Sequence, residues 1–154
     1  MLENCKTAQE RWGGVSEIID KWLKNRQQLL VLYCNLSEIV DQHSSDDIGQ
    51  ALRGLCQVMV DYVSAGHFEV YDQLVQEGRA FNDKDALTEA KALFESVDTT
   101  TETVLDFNDK YQEIDDLESL PCDLSQLGET LASRFEAEDR AIEVLHLAHK
   151  DHVA

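Results

Sequence analysis

Apolar residues recur at three- and four-residue intervals in four long stretches of the chain, the spacing that stacks side chains on one face of an α-helix. The first stretch runs Val15, Ile18, Ile19, Trp22, Leu29, Leu30, Tyr33, Leu36, Val40. The second runs Ile48, Leu52, Leu55, Met59, Tyr62, Val63, Gly66, Val70, Leu74. The third runs Leu87, Ala90, Leu93, Phe94, Val97, Val104, Leu105, Tyr111, Ile114, and the fourth Leu124, Leu127, Leu131, Phe135, Ile142, Leu145. A short helix-like piece ending at Trp12 precedes the first stretch, and Gly13–Gly14 predicts a break between them, since each glycine weakens a helix interior by about 1 kcal/mol. Start and stop residues fall between the stretches: Ser44, Ser45, Asp46 and Asp47; Gly78 with Asn82, Asp83 and Asp85; Pro121, Cys122 and Asp123. Threonine is a poor helix former, but the apolar spacing continues through Asp98–Val104 (DTTTETV) and predicts helix there too. The connections are short, so neighbouring helices are expected to run antiparallel. The expectation is an all-α, up-down-up-down four-helix bundle with a short extra N-terminal helix, formed by residues 1–154 as one domain.

Composition supports helix and adds a charge signature. One proline in 154 residues leaves long helices uninterrupted. The longest apolar run, Leu29–Cys34, is far short of a membrane span, and MLENCKTAQERW has acids where a signal peptide has its apolar stretch. Cys5, Cys34, Cys56 and Cys122 show no metal spacing and read as reduced thiols of a cytoplasmic protein, with Cys34 and Cys56 in the core. Thirty-one acids against thirteen bases give a net charge of −18. Residues 1–34 hold five bases and four acids, so the remaining 120 residues carry −19. Such a surface repels nucleic acid and anionic lipid and attracts a basic partner, although acidity also serves solubility alone.

Catalytic and metal chemistry find little in the chain. It has no G-x-S-x-G, no P-loop and no glycine-rich dinucleotide loop, so no enzyme class stands out. Hemerythrin-like and di-iron bundles draw inward ligands from several helices, and His67, Glu69, Glu136, Glu138 and Asp139 raise that alternative, as well as a small-molecule sensor. The only Glu-x-x-His pair, Glu143 with His146, is too few ligands, so no metal and no cofactor are expected. His146, His149 and His152 follow at three-residue steps and either bind a stray cation or complement a helix C-terminus. Asp61–Asp72 (DYVSAGHFEVYD) differs in kind, because small, aromatic and ionisable residues crowd a helix interior. Val63, Gly66 and Val70 are placed to face the core, while Asp61, Ser64, Phe68, Tyr71 and Asp72 fall elsewhere and make a candidate binding surface. The plainer reading is a tight helix crossing with His67 as a satisfied core residue.

Four stretches bear a further likeness: AQERWGGV (8–15), DKWLKNRQQLL (20–30), DYVSAGHFEVYDQL (61–74) and RFEAEDRAIEVLHLAH (134–149). In these the chain resembles the Rsd/AlgQ family of bacterial anti-sigma regulators, the first and third being nearest the AlgQ branch of pseudomonads. None of these stretches falls in residues 79–125, where the third helix rests on periodicity alone. The resemblance implies a helical bundle that binds the C-terminal helix-turn-helix domain of the primary sigma factor and competes with promoter and core-polymerase contacts. It places a sigma contact on Asp61. The expected partner-binding set is Asp61, Ser64, Phe68, Tyr71 and Asp72, with Trp22 and Arg26 from the first long helix, in a protein that is monomeric and touches neither nucleic acid nor membrane. The histidine-rich tail and the non-acidic first helix stand outside that mechanism.

Overall fold

The computed structural model describes residues 8–42, 45–113 and 117–152, and among these every element is helical. Helix α1 spans Ala8–Asp41 and α2 spans Ser45–Ala65. A five-residue π-turn, Gly66–Val70, leads without interruption into α3, Tyr71–Ala80. Helices α4 (Lys84–Glu113) and α5 (Leu120–Leu145) follow, and a 3₁₀ segment, Leu147–His152, ends the described chain.

Helix α1 runs unbroken through Gly13–Gly14, so the separate N-terminal helix expected there is absent from the described residues. Tertiary anchors on either side of the glycines override their poor propensity. Trp12 donates its indole N–H to the His146 carbonyl (2.9 Å), and Val15 is buried in the core. The threonine run is helical as expected, with the Thr99, Thr100 and Thr101 hydroxyls donating back to carbonyls three or four residues earlier. The expected cap Ser44 lies outside the described residues.

The α3–α4 corner closes by its own chemistry. Asn82 takes a positive φ of 54°, a conformation asparagine tolerates better than most residues. The Asp83 N–H bonds back to the Gly78 carbonyl (3.0 Å), and Asp83 Oδ1 accepts from the Ala86 N–H (3.1 Å) as the N-cap of α4. Gly78, expected as a helix stop, lies inside α3. A Cβ there would meet the Leu145 and Leu87 methyls at 2.7 and 2.9 Å, so glycine permits a close helix crossing. Pro121 stands in the first turn of α5, where its missing N–H costs nothing.

One continuous core joins all the helices, centred on Leu29, Leu36, Leu55, Met59, Leu127 and Leu145. Each leucine buried in this way contributes about 2 kcal/mol by leaving water. Paired contacts set the helix directions. Trp12, Arg26 and Tyr33 of α1 meet His146, Asp139 and Leu124 in reverse order, so α1 and α5 run opposite ways. Lys110 and Arg134 likewise tie α4 to α5 in reverse order, through Asp123 and Thr101. Cys56 is buried, and burial pushes its thiol up to about 11. Cys34, expected in the core, is exposed with Leu30 and Val31 on the outer side of α1.

Candidate partner-binding surface

Helices α1, α2, α3 and α5 all send polar side chains to one buried carboxylate, Glu138, whose side chain is 0% exposed. Tyr62 Oη donates to its Oε1 (2.6 Å), and Tyr71 Oη donates to its Oε2 in a very short hydrogen bond. Arg26 Nη2 lies 3.4 Å from Oε1. Arg134, four residues earlier on α5, puts Nε 3.3 Å from Oε2, in ion-pair range but not aligned as a hydrogen bond. The rest of the Arg134 guanidinium is held by Thr100 Oγ1 (3.1 Å), Thr101 Oγ1 (2.8 Å) and Tyr71 Oη (3.0 Å). Burial pushes the Glu138 carboxyl up, while Arg134, the two phenols and Arg26 pull it down. Burial and the neighbouring carboxylate push both tyrosine hydroxyls well up, so they stay protonated donors.

Trp22 and Arg26, expected at the partner surface, serve this interior. Trp22 is 2% exposed, stacks on Tyr62 at 4.7 Å and donates its indole N–H to the Tyr62 carbonyl (3.1 Å). Arg26 donates to Tyr62 Oη (2.9 Å) and to Asp139 Oδ1 (2.5 Å), and it lies over the Phe135 ring at 4.6 Å. Tyr71, expected off the core, is 8% exposed. The π-turn is the reason. An i→i+5 turn takes up about one residue more than an α-turn, so everything after it lags by about 100°. In an unbroken helix Tyr62 and Tyr71, nine residues apart, would face opposite ways; the lag brings them within about 80°. Val63, Gly66 and Val70 are buried as expected.

What remains outside is a compact row. Asp61 and Asp72 are exposed, Ser64 is partly so, and Phe68 is 80% exposed. Among the described residues Phe68 is the one aromatic among the large exposed hydrophobics. His67, read in one alternative as a core residue, is exposed and meets Phe68 edge-on at 5.0 Å. Asp61 also stands at the rim of an open groove of roughly 390 Å³ between α2 and α4, beside Gln57, Asn108 and Gln112.

Of the tail histidines, His146 and His149 are held by protein groups, and His149 complements the C-terminus of α5. His146 is buried, pairs through Nδ1 with Glu77 Oε2 (2.7 Å) and stacks under Trp12 at 4.3 Å. His149 donates Nδ1–H to the Leu145 carbonyl (3.0 Å) and meets Asp83 Oδ2 through Nε2 (2.9 Å). These contacts pin the chain end to the α3–α4 corner and to the start of α1. Among the described residues no three His, Cys, Asp or Glu side chains gather where they could hold a metal, and Glu138 is enclosed by phenols and guanidiniums. No helix among them is long and apolar enough to cross a membrane. The sequence reading missed the Arg134 and Tyr62 roles. The available signal was Arg134 and Glu138 at i,i+4 on the apolar stripe of α5.

With its central carboxylate enclosed and an aromatic set out among acids, the molecule has the build of a helical binding protein. The chain belongs to the Rsd/AlgQ family, described as regulator of RNA polymerase sigma(70) subunit, whose profile matches residues 1–146. It is similar to the regulator of sigma D of Yersinia enterocolitica, 36% identical over 150 residues that cover 93% of this chain and 89% of that protein. The regulator of sigma D of Yersinia pseudotuberculosis is 37% identical, with 93% and 88% covered. That of an Enterobacter species is 35% identical over 165 residues, with 100% and 98% covered. The family is one of sigma-factor regulators rather than a class of enzyme.

Proposed function

We propose that the protein is an anti-sigma factor that binds the C-terminal helix-turn-helix domain of the primary sigma factor one-to-one, as a monomer in the cytoplasm. The observation that carries this reading is the exposed row Asp61, Phe68 and Asp72, with half-exposed Ser64 between them, on a chain of net charge −18. A helix-turn-helix domain is basic because it neutralises phosphates. Carboxylates presented at the spacing of a helix face draw in such a domain and occupy the groups that would otherwise contact promoter DNA and core polymerase. Phe68 supplies the apolar anchor that charge alone lacks. Trp22, Tyr71 and Arg26 contribute from behind, by holding the helix that carries the row. The protein needs no cofactor and touches no nucleic acid itself.

Capture of the isolated sigma C-terminal domain at low and moderate salt tests the reading. One-to-one capture that weakens with salt, and at least tenfold weaker binding by Asp61→Ala, are expected. No capture at low salt refutes the reading. Unchanged affinity of Asp61→Ala removes that residue from the contact.

A further inference from the structure

Helix α1 is the longest element, and its charges nearly balance. Its 34 residues hold five acids and four bases, whereas α4 holds eight acids and three bases. The inner side of α1, marked by Trp22, Leu29 and Leu36, is buried in the core. Val31 comes nine residues after Trp22, about 180° round the helix at 100° per residue, and is 53% exposed. Around Val31 the outer side presents Lys24, Gln27, Gln28, Cys34, Asn35 and Glu38, all exposed. Leu30, 41% exposed, lies at its edge. These six positions fall three, four and seven residues before and after Val31, so the face repeats itself about its own midpoint. The charges repeat with opposite sign: Lys24 stands seven residues before Val31 and Glu38 seven after. Among the described residues neither is drawn into an ion pair.

We propose that the outer face of α1 is a self-association surface, on which a second copy of this chain lies antiparallel across a two-fold axis at Val31. In that pairing Val31 meets its own counterpart and Gln28 lies beside Asn35 of the second copy. Lys24 meets Glu38 of the second copy twice, once on each side of the axis. Charge complementarity selects this occupant. The exposed stripe from Lys24 to Glu38 carries no net charge, so two copies meet there with less repulsion than on α4, in a chain of net charge −18. A basic partner would be opposed by Lys24 and an acidic one by Glu38, whereas a copy of the same face satisfies both. Beyond the stripe, exposed Asp20 and Asp41 of opposite copies approach each other, which limits the contact to about four helical turns. That length covers less than the roughly 800 Å² per partner of a standard interface, so the pair is weak and reversible. The inference does not rest on the anti-sigma reading: a single copy remains the unit that meets sigma, and pairing is a state of the free protein.

Sedimentation equilibrium of the whole chain tests this, at about 0.15 M salt, where repulsion between exposed charges is screened beyond about 8 Å. Wild type is expected to pass from one copy to two with a Kd on the order of 10–100 µM. Lys24→Glu and Glu38→Lys each set like charges against one another on both sides of the axis, so each alone should pair roughly tenfold more weakly. Glu38→Lys also lowers the net negative charge, so a contact governed by overall repulsion would tighten instead. Mixed in equal amounts, the two variants should pair as wild type does, because each substituted side chain then faces its opposite charge. Lys24 and Glu38 lie about 21 Å apart along one helix, so this rescue cannot arise within a single chain. Both side chains are exposed, so neither change disturbs the core. Wild type that stays a single copy up to about 500 µM overturns the proposal. Single variants that pair as well as wild type, or a mixture that does not regain pairing, overturn it equally.

Discussion

Glu138→Ala is the most demanding test of the core described above. Arg134, with a side chain 1% exposed, would lose the only carboxylate within ion-pair range of it among the described residues. Its remaining partners, the Val97 carbonyl and the Thr100, Thr101 and Tyr71 hydroxyls, occupy N–H groups but carry no opposing charge. Stranding one member of a buried ion pair costs about 3–5 kcal/mol. The Tyr62 and Tyr71 hydroxyls also lose their acceptor, so the upper half of that range is expected. This is a large part of the roughly 5–15 kcal/mol by which domains are stable. With an m-value of about 2 kcal/mol/M, the urea midpoint followed by far-ultraviolet circular dichroism should fall by about 2–2.5 M at unchanged slope. Glu138→Gln keeps the shape and one acceptor and should lose roughly half as much. Removing both charges at once, as Arg134→Met with Glu138→Leu, should recover most of the loss, because an apolar pair of similar volume strands nothing. A midpoint shift below about 0.5 M for Glu138→Ala would refute the reasoning, since the guanidinium would then be finding water or another anion.

Three further outcomes follow from particular positions. Gly54→Ala, with nothing within 4 Å of the new Cβ, should stabilise α2 by about 0.5–1 kcal/mol. Gly78→Ala, 2.7 Å from a Leu145 methyl, should instead destabilise by about 1–2 kcal/mol after its helix gain is counted, and paired thermal melts read both signs. Asp123 is held below its ordinary value of 3.8 by Lys110 and then by the Tyr111 hydroxyl. Its contribution to stability is therefore complete above the unfolded value and lost as pH falls through the lower folded one. Urea midpoints measured below about pH 4 should fall less steeply for Asp123→Asn than for wild type.

Much of the fold was legible because helix formation leaves a period in the sequence. The apolar stripes of α2 and α5 name buried residues almost position by position, and the threonine run in α4 was helical because Val97 and Val104 keep the stripe going. Gly13–Gly14 misled because propensity is worth about 1 kcal/mol per residue and the Trp12 and Val15 anchors outweigh it. Cys34 misled because a helix of 34 residues exposes one side even within an apolar run. At the candidate site, Val63, Gly66 and Val70 were placed correctly, since they precede or complete the π-turn. Tyr71 was not: the 3.6-residue period assumes a regular helix, and the register shift depends on what Trp22 and Glu138 do across the core.

Sequence alone determined the helical class, the acidic surface and the family, because these live in local periodicity, summed charge and motif order. Only the tertiary structure decided which polar residues are consumed inside. Glu138, which the sequence offered as a possible metal ligand, became the hub for Arg26, Tyr62, Tyr71 and Arg134, drawn from three other helical segments and its own. The tail histidines became pins against Glu77 and Asp83. Such pairings join residues far apart in the chain, and burial makes an unpartnered charge too costly to tolerate. They are settled only when the helices pack, and Phe68 is left outside as a consequence.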